Sequence, residues 1–95
     1  MVTRVELGRR TAEKAVKKLP EQIVLLLNAW IESVETDGLA LVRKIPGYHD
    51  EPLHGKRAGQ RSVRLSRAYR VIYEVVAGEV RIQIVRVLDV NKHKY

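Results

Sequence analysis

A carboxylate, a set of arginines and a late histidine are the side chains in this sequence that could do chemistry together. Glu51 opens residues 51–73 (EPLHGKRAGQRSVRLSRAYRVIY), where no other carboxylate occurs but Lys56, Arg57, Arg61, Arg64, Arg67 and Arg70 all do. The last residues of the chain add Lys92, His93, Lys94 and Tyr95. Cleavage of an RNA phosphodiester needs a base for the 2′-hydroxyl, positive charge for the phosphorane oxygens and an acid for the leaving 5′-oxygen. Glu51 could be that base. His93 could be the acid, since an unperturbed imidazole titrates at about 6.5. Arg64 and Arg70 carry planar forks of donors matched to phosphate oxygens. Tyr48 and Tyr95 could stack on bases, a contact worth roughly 1–3 kcal/mol each.

Each of these side chains has a plainer role open to it. Glu51, ahead of Pro52, reads equally as a solvated loop acid. Arg64 and Arg67 could simply guard a strand edge against aggregation. His54 beside Gly55 reads as a loop histidine, and Lys92, His93 and Lys94 as solvated tail charges.

Composition narrows the setting. Eighteen Lys and Arg against eleven Asp and Glu give a net charge of +7, which favours a polyanionic partner. The 95 residues suit one domain, expected to span 1–95, with a modest core that must be mostly aliphatic because the chain has no Phe and one Trp. The absence of Cys excludes disulfides, thiolate metal sites and cysteine nucleophiles. No acidic or histidine cluster has ligand spacing, so no metal or other cofactor is expected. Residues 23–27, the longest apolar run, fall far short of the roughly 20 needed to span a bilayer. MVTRVELGRR lacks the apolar stretch of a signal peptide, so a cytoplasmic protein with no membrane partner is expected.

The elements that must position the candidate residues follow from periodicity. Thr3, Val5 and Leu7 alternate with Arg4 and Glu6 as in a half-buried strand. Ala12, Ala15, Val16 and Leu19 then recur at helical spacing, and Pro20 ends that helix and suits the first position of the next. Ile23, Leu27, Trp30, Ile31 and Val34 form the inner stripe of a second helix, closing near Asp37-Gly38. Leu39, Leu41, Val42 and Ile45 predict a short third helix or a tucked-in turn, and residues 48–59 read as a loop punctuated by Pro52, Gly55 and Gly59. Alternation returns at Arg61, through a strand, a turn near Arg67-Ala68, a strand over 69–76, a tight loop at Ala77-Gly78-Glu79 and a last strand over 80–87. In that last strand the apolar phase slips after Ile84, as a bulge or strong twist would produce. The predicted order, β-α-α-β-β-β, is an α+β fold: an antiparallel sheet carrying an N-terminal helical hairpin on one face, with Arg64 and Arg70 on the other.

The passage EPLHGKRAGQRSVRLSRAYRVIYEV, followed by a final strand and NKHKY, resembles the RelE/ParE superfamily of bacterial toxins from type II toxin–antitoxin systems. The resemblance covers essentially the whole chain and is most specific at EPL…G, RLSRAYRVIY and the terminal His…Tyr. It is nearest to the YoeB- and RelE-like mRNA interferases, which cut mRNA in the ribosomal A site. It implies Glu51 as general base, Arg70 at the head of RVIY as phosphate stabiliser, and His93 and Tyr95 as the rest of the catalytic set. Lys56, Arg61, Arg64, Arg67, Lys92 and Lys94 are the implied contacts to RNA phosphates. Lys94 separates His93 from Tyr95, which are adjacent in the family pattern; on an extended tail both then lie on one side, and Tyr95 is the one expected to have lost its role. The resemblance also implies a cognate antitoxin as partner. Its ParE branch inhibits DNA gyrase by binding, so a binding toxin and a non-catalytic RNA-binding module are the alternative readings.

Overall fold

Alternating apolar residues give way to helical spacing after Gly8, and strand gives way to helix in the computed structural model, which describes residues 4–7 and 10–87. Strand β1 (Arg4–Leu7) is followed by helices α1 (Arg10–Lys17) and α2 (Glu21–Asp37). Pro20 stands at the N-cap of α2, one residue ahead of the position expected for it, and its carbonyl accepts from the N–H groups of Ile23 and Val24 at 3.0 Å each. Gly38 ends α2 with φ 87°, a conformation that favours glycine, and its N–H donates to the Val34 carbonyl at 2.9 Å. The chain swings there into the short helix α3 (Leu39–Val42). No helix among the described residues is long and apolar enough to cross a membrane.

Strands β2 (Glu51–Pro52), β3 (Gln60–Arg64), β4 (Tyr69–Val76) and β5 (Glu79–Val87) complete a five-stranded sheet in the order β1-β5-β4-β3-β2. Neighbours from β5 to β2 are antiparallel, and β1 joins parallel to β5. The fold is therefore α+β, as the periodicity predicts. The segment expected to be wholly loop contains β2, an edge strand where a proline without an N–H is tolerated. The phase slip in the last strand is a real bulge: Ile72 pairs with Ile84 and Tyr73 with Ile82, which leaves Gln83 unmatched. It falls one residue before the break in alternation, because the bulged residue itself belongs to neither phase.

One face of the sheet meets the helices. Ile23, Leu27, Trp30 and Val34 of α2 and Leu39 and Val42 of α3 pack on Val63, Leu65, Val71, Tyr73 and Val80. Trp30 and Tyr73 are the large rings of this core, with centroids 5.3 Å apart and planes tilted by 51°, within the range where aromatic pairs attract. Tyr48 and Tyr69 pack against the same cluster.

The β4–β5 turn carries a testable strain. Its two central residues, Ala77 (φ 51°) and Gly78 (φ 81°), both adopt the positive φ that a type I′ turn requires. Alanine is held there at a cost of about 1–2 kcal/mol, whereas asparagine enters this region readily. Ala77→Asn is expected to raise stability by roughly 1 kcal/mol in urea denaturation, with an unchanged slope.

Candidate active site

The face of the sheet turned away from the helices collects the charged residues, and strand register dictates which of them meet. Glu51 pairs with Ser62, Ser62 with Ile72, and Arg64 with Arg70. Because side chains alternate along each strand, Glu51, Ser62, Arg64, Arg70 and Ile72 all belong to this face. Ser62 and Ile72 are buried. Across the small Ser62, Arg70 Nη1 reaches Glu51 Oε1 at 3.5 Å. The Glu51 side chain is 59% exposed, so this is a loose surface pair worth at most about 1 kcal/mol, easily opened by a competing anion.

Arg64 and Arg70 stand directly opposite each other on neighbouring strands, an arrangement in which like charges destabilise a sheet. Arg86 takes the next register position beyond Arg70 on β5. The Nε atoms of Arg64 and Arg70 and the Ser62 hydroxyl are shielded from solvent with no hydrogen-bond partner among the described residues. Buried donors without acceptors are costly, and an oxyanion lying over this row would satisfy them while neutralising the repulsion.

Beneath β2, on the core side, the residue before Glu51 is held firmly. His49 takes a left-handed backbone (φ 45°) after the 3-10 turn Pro46–Tyr48, and Asp50 then enters under the sheet with its side chain only 1% exposed. Asp50 Oδ1 accepts from Arg61 Nε at 2.5 Å and Oδ2 from the Tyr73 hydroxyl at 2.6 Å. Arg61 Nη2 also donates to the Asp50 backbone carbonyl at 3.4 Å. Burial, followed by the hydrogen bond to Asp50 and the negative charge of its carboxylate, pushes the Tyr73 hydroxyl well above its ordinary value of 10.0, so it remains a donor at physiological pH. Burial works against the charge of Arg61, but the Asp50 hydrogen bond and charge outweigh it and hold the guanidinium above its ordinary value.

The structure thus brings Glu51, Arg64 and Arg70 onto one face and places other candidate residues elsewhere. Arg61, expected to meet phosphate, lies on the core side bonded to Asp50. Lys56 is exposed in the 3-10 turn Gly55–Arg57, and Arg67 is exposed in the β3–β4 turn, closed by Leu65 and Ser66 N–H donations to the Tyr69 carbonyl at 3.0 and 3.3 Å. Tyr48 packs against the core. Lys92, His93, Lys94 and Tyr95 lie outside the described residues. Sequence reasoning passed over Asp50, Tyr73 and the place of Arg86. Two adjacent acids ahead of a proline, one for each face of a strand, were the available signal for Asp50.

The chain superposes on the toxin–antitoxin complex RelBE2 of Mycobacterium tuberculosis with TM-score 0.67 and 22% identity, over 92% of this chain and 99% of that one. The E. coli DinJ–YafQ toxin–antitoxin complex gives 0.72 and 18% identity over 92% and 93% of the two chains. The YoeB–YefM toxin–antitoxin complex of Staphylococcus aureus gives 0.70 and 17% over 87% and 93%. The chain has the RelE-type toxin fold. No protein-family model and no curated protein sequence matches it. At these identities the RelE-type likeness is one of fold, so the roles of individual residues rest on the geometry above.

The Tyr73–Asp50 bond has a pH signature. A raised phenol pKa means that folding favours the neutral form, so its contribution is complete below about pH 10 and is lost as pH climbs through the raised value. Tyr73→Phe is expected to cost about 1–3 kcal/mol at neutral pH by leaving a buried carboxylate one donor short. Its stability, followed by urea denaturation, should then fall less steeply than wild type above about pH 10. Parallel pH profiles for the two proteins would show that this bond is not made.

Proposed function

We propose that the chain is the toxin of a type II toxin–antitoxin pair and acts as a ribosome-dependent mRNA endonuclease in the bacterial cytoplasm. The observation that carries this reading is the meeting of Glu51 with Arg70 beside Arg64, on the face turned away from the helices, where buried donors have no partner among the described residues. The RelE-type fold and the antitoxin-bound state of the structures it resembles support the toxin role and a cognate antitoxin as partner. Glu51 takes the 2′-hydroxyl proton, and the 2′-oxygen attacks the adjacent phosphorus. Arg64 and Arg70 hold the non-bridging oxygens as charge grows on them. The bond from phosphorus to the 5′-oxygen breaks, His93 supplies the proton to that oxygen, and the products are a 2′,3′-cyclic phosphate and a 5′-hydroxyl. Approach of the phosphate draws Arg70 away from Glu51, which frees the carboxylate for its role as base. Lys56, Arg67, Lys92 and Lys94 extend the positive charge along the RNA backbone.

Three substitutions test this assignment. Glu51→Ala and His93→Ala are each expected to lower cleavage of a translated message about 10²–10⁴-fold. Arg70→Ala should lower it about 10²–10³-fold, and all three should relieve growth arrest while remaining folded by circular dichroism. Folded variants that stay fully toxic would refute the site. Inhibition of gyrase supercoiling with the message left intact would instead identify a binding toxin.

Binding should also depend on salt. For a protein that neutralises several phosphates, affinity for single-stranded RNA falls with a log–log slope of about −0.7 per contact. Arg64→Ala is expected to flatten that slope by roughly one contact's worth in fluorescence titrations across about 50–200 mM salt.

A further inference from the structure

Strand β2 is only two residues long, and both Glu51 and Pro52 are exposed. It therefore has no buried apolar side chain to set its register, and a slip of one residue would turn Glu51 to the wrong face. Besides its pairing with β3, its continuation is tied by the Leu53 N–H donating to the Gln60 carbonyl at 2.9 Å. What does enter the protein at this point is Asp50. Its two oxygens are bound by donors from two different strands, Arg61 on β3 and Tyr73 on β4, which fixes both the depth and the rotation of the carboxylate.

We infer that Asp50 is a positioning residue, clamped from beneath by Arg61 and Tyr73 so that Glu51 is held on the opposite face within reach of Arg70. This inference rests on the role proposed for Glu51 as base. A carboxylate is a poor choice if stability alone is at issue, since a buried ion pair is commonly matched or bettered by apolar residues of similar size. What it supplies is direction. Adjacent residues of an extended chain project to opposite faces, so locking Asp50 downward locks Glu51 upward. Tyr73 in turn is seated on Trp30, so the clamp stands on the rigid core rather than on the loop that it orders. The phosphate-holding arginines belong to β3 and β4, so the clamp should govern the placement of the base and leave RNA affinity to them.

The test separates position from stability and from the nuclease reading. Asp50→Ala, studied at a temperature where circular dichroism shows it folded, is expected to lower kcat for message cleavage about a hundredfold, the penalty typical of a misplaced reacting group. KM should stay within about twofold, because the binding arginines are untouched. Asp50→Asn can still accept from Arg61 and donate to Tyr73, so it should recover most of the rate. In a Glu51→Gln background, Asp50→Ala should have no further effect on residual cleavage. Amide hydrogen exchange gives a readout that needs no activity: Leu53 should lose its protection in Asp50→Ala while the amides of β4 keep theirs. If Asp50→Ala proves unfolded, Tyr73→Phe, which removes one of the two donors, is read in the same way. Unchanged kcat, additive effects with Glu51→Gln, or unchanged Leu53 protection would each overturn the inference. A wild-type protein that does not cut message would refute the nuclease reading, and the Leu53 exchange would still decide whether the clamp holds β2.

Discussion

The hydrogen bond from Tyr73 to Asp50 is the point at which core and site become one structure. The Tyr73 ring belongs to the core, packed on Trp30, and its hydroxyl ends at the carboxylate that precedes Glu51. A core with no phenylalanine draws its large rings from Trp and Tyr, and a buried tyrosine needs a partner for its hydroxyl. Asp50 meets that need, and with Arg61 it turns a potential desolvation cost into an anchor. Removing either donor would leave a buried acid under-bonded, which is why this cluster is more exacting than the loose pair above it.

The upper face works on the opposite principle. Glu51 and Arg70 meet at 3.5 Å in an exposed setting, and Arg64 faces Arg70 across the strand pair. The contacts are weak, and several donors have no acceptor among the described residues. A folded protein that fully satisfied these groups would have nothing left for a ligand. One sheet thus carries a tightly bonded ion pair on its core side and, among the described residues, donors without acceptors on its other side. The RelE-type fold makes this possible because its helices cover one face of the sheet only.

Much of this was legible in the order of residues. The move from alternation to helical spacing and back foretold the element order, and the slip near Ile84 foretold the bulge to within one residue. Arg64 and Arg70 could be assigned to the face away from the core because each is the immediate neighbour of a core residue, Val63 or Val71, on an alternating strand. Asp50 could not be assigned in this way. A two-residue strand between turns has no period to read, and its sidedness depends on partners 11 and 23 residues away. Arg61 is the opposite case: its type suggests a phosphate contact, but its strand phase, shared with Val63, points it to the core side.

The sequence by itself thus determined the class of fold, the basic charge, the face that would carry Arg64 and Arg70, and the presence of an acid at the start of the basic run. Those properties are local or additive: period, composition and spacing set them. Only the tertiary structure decided that Glu51 stands over Ser62 against Arg70, that Arg61 bonds Asp50, and that Asp50 is shut beneath the sheet. These depend on strand register and on donors contributed by separate strands. No short window of residues contains both ends of such a contact.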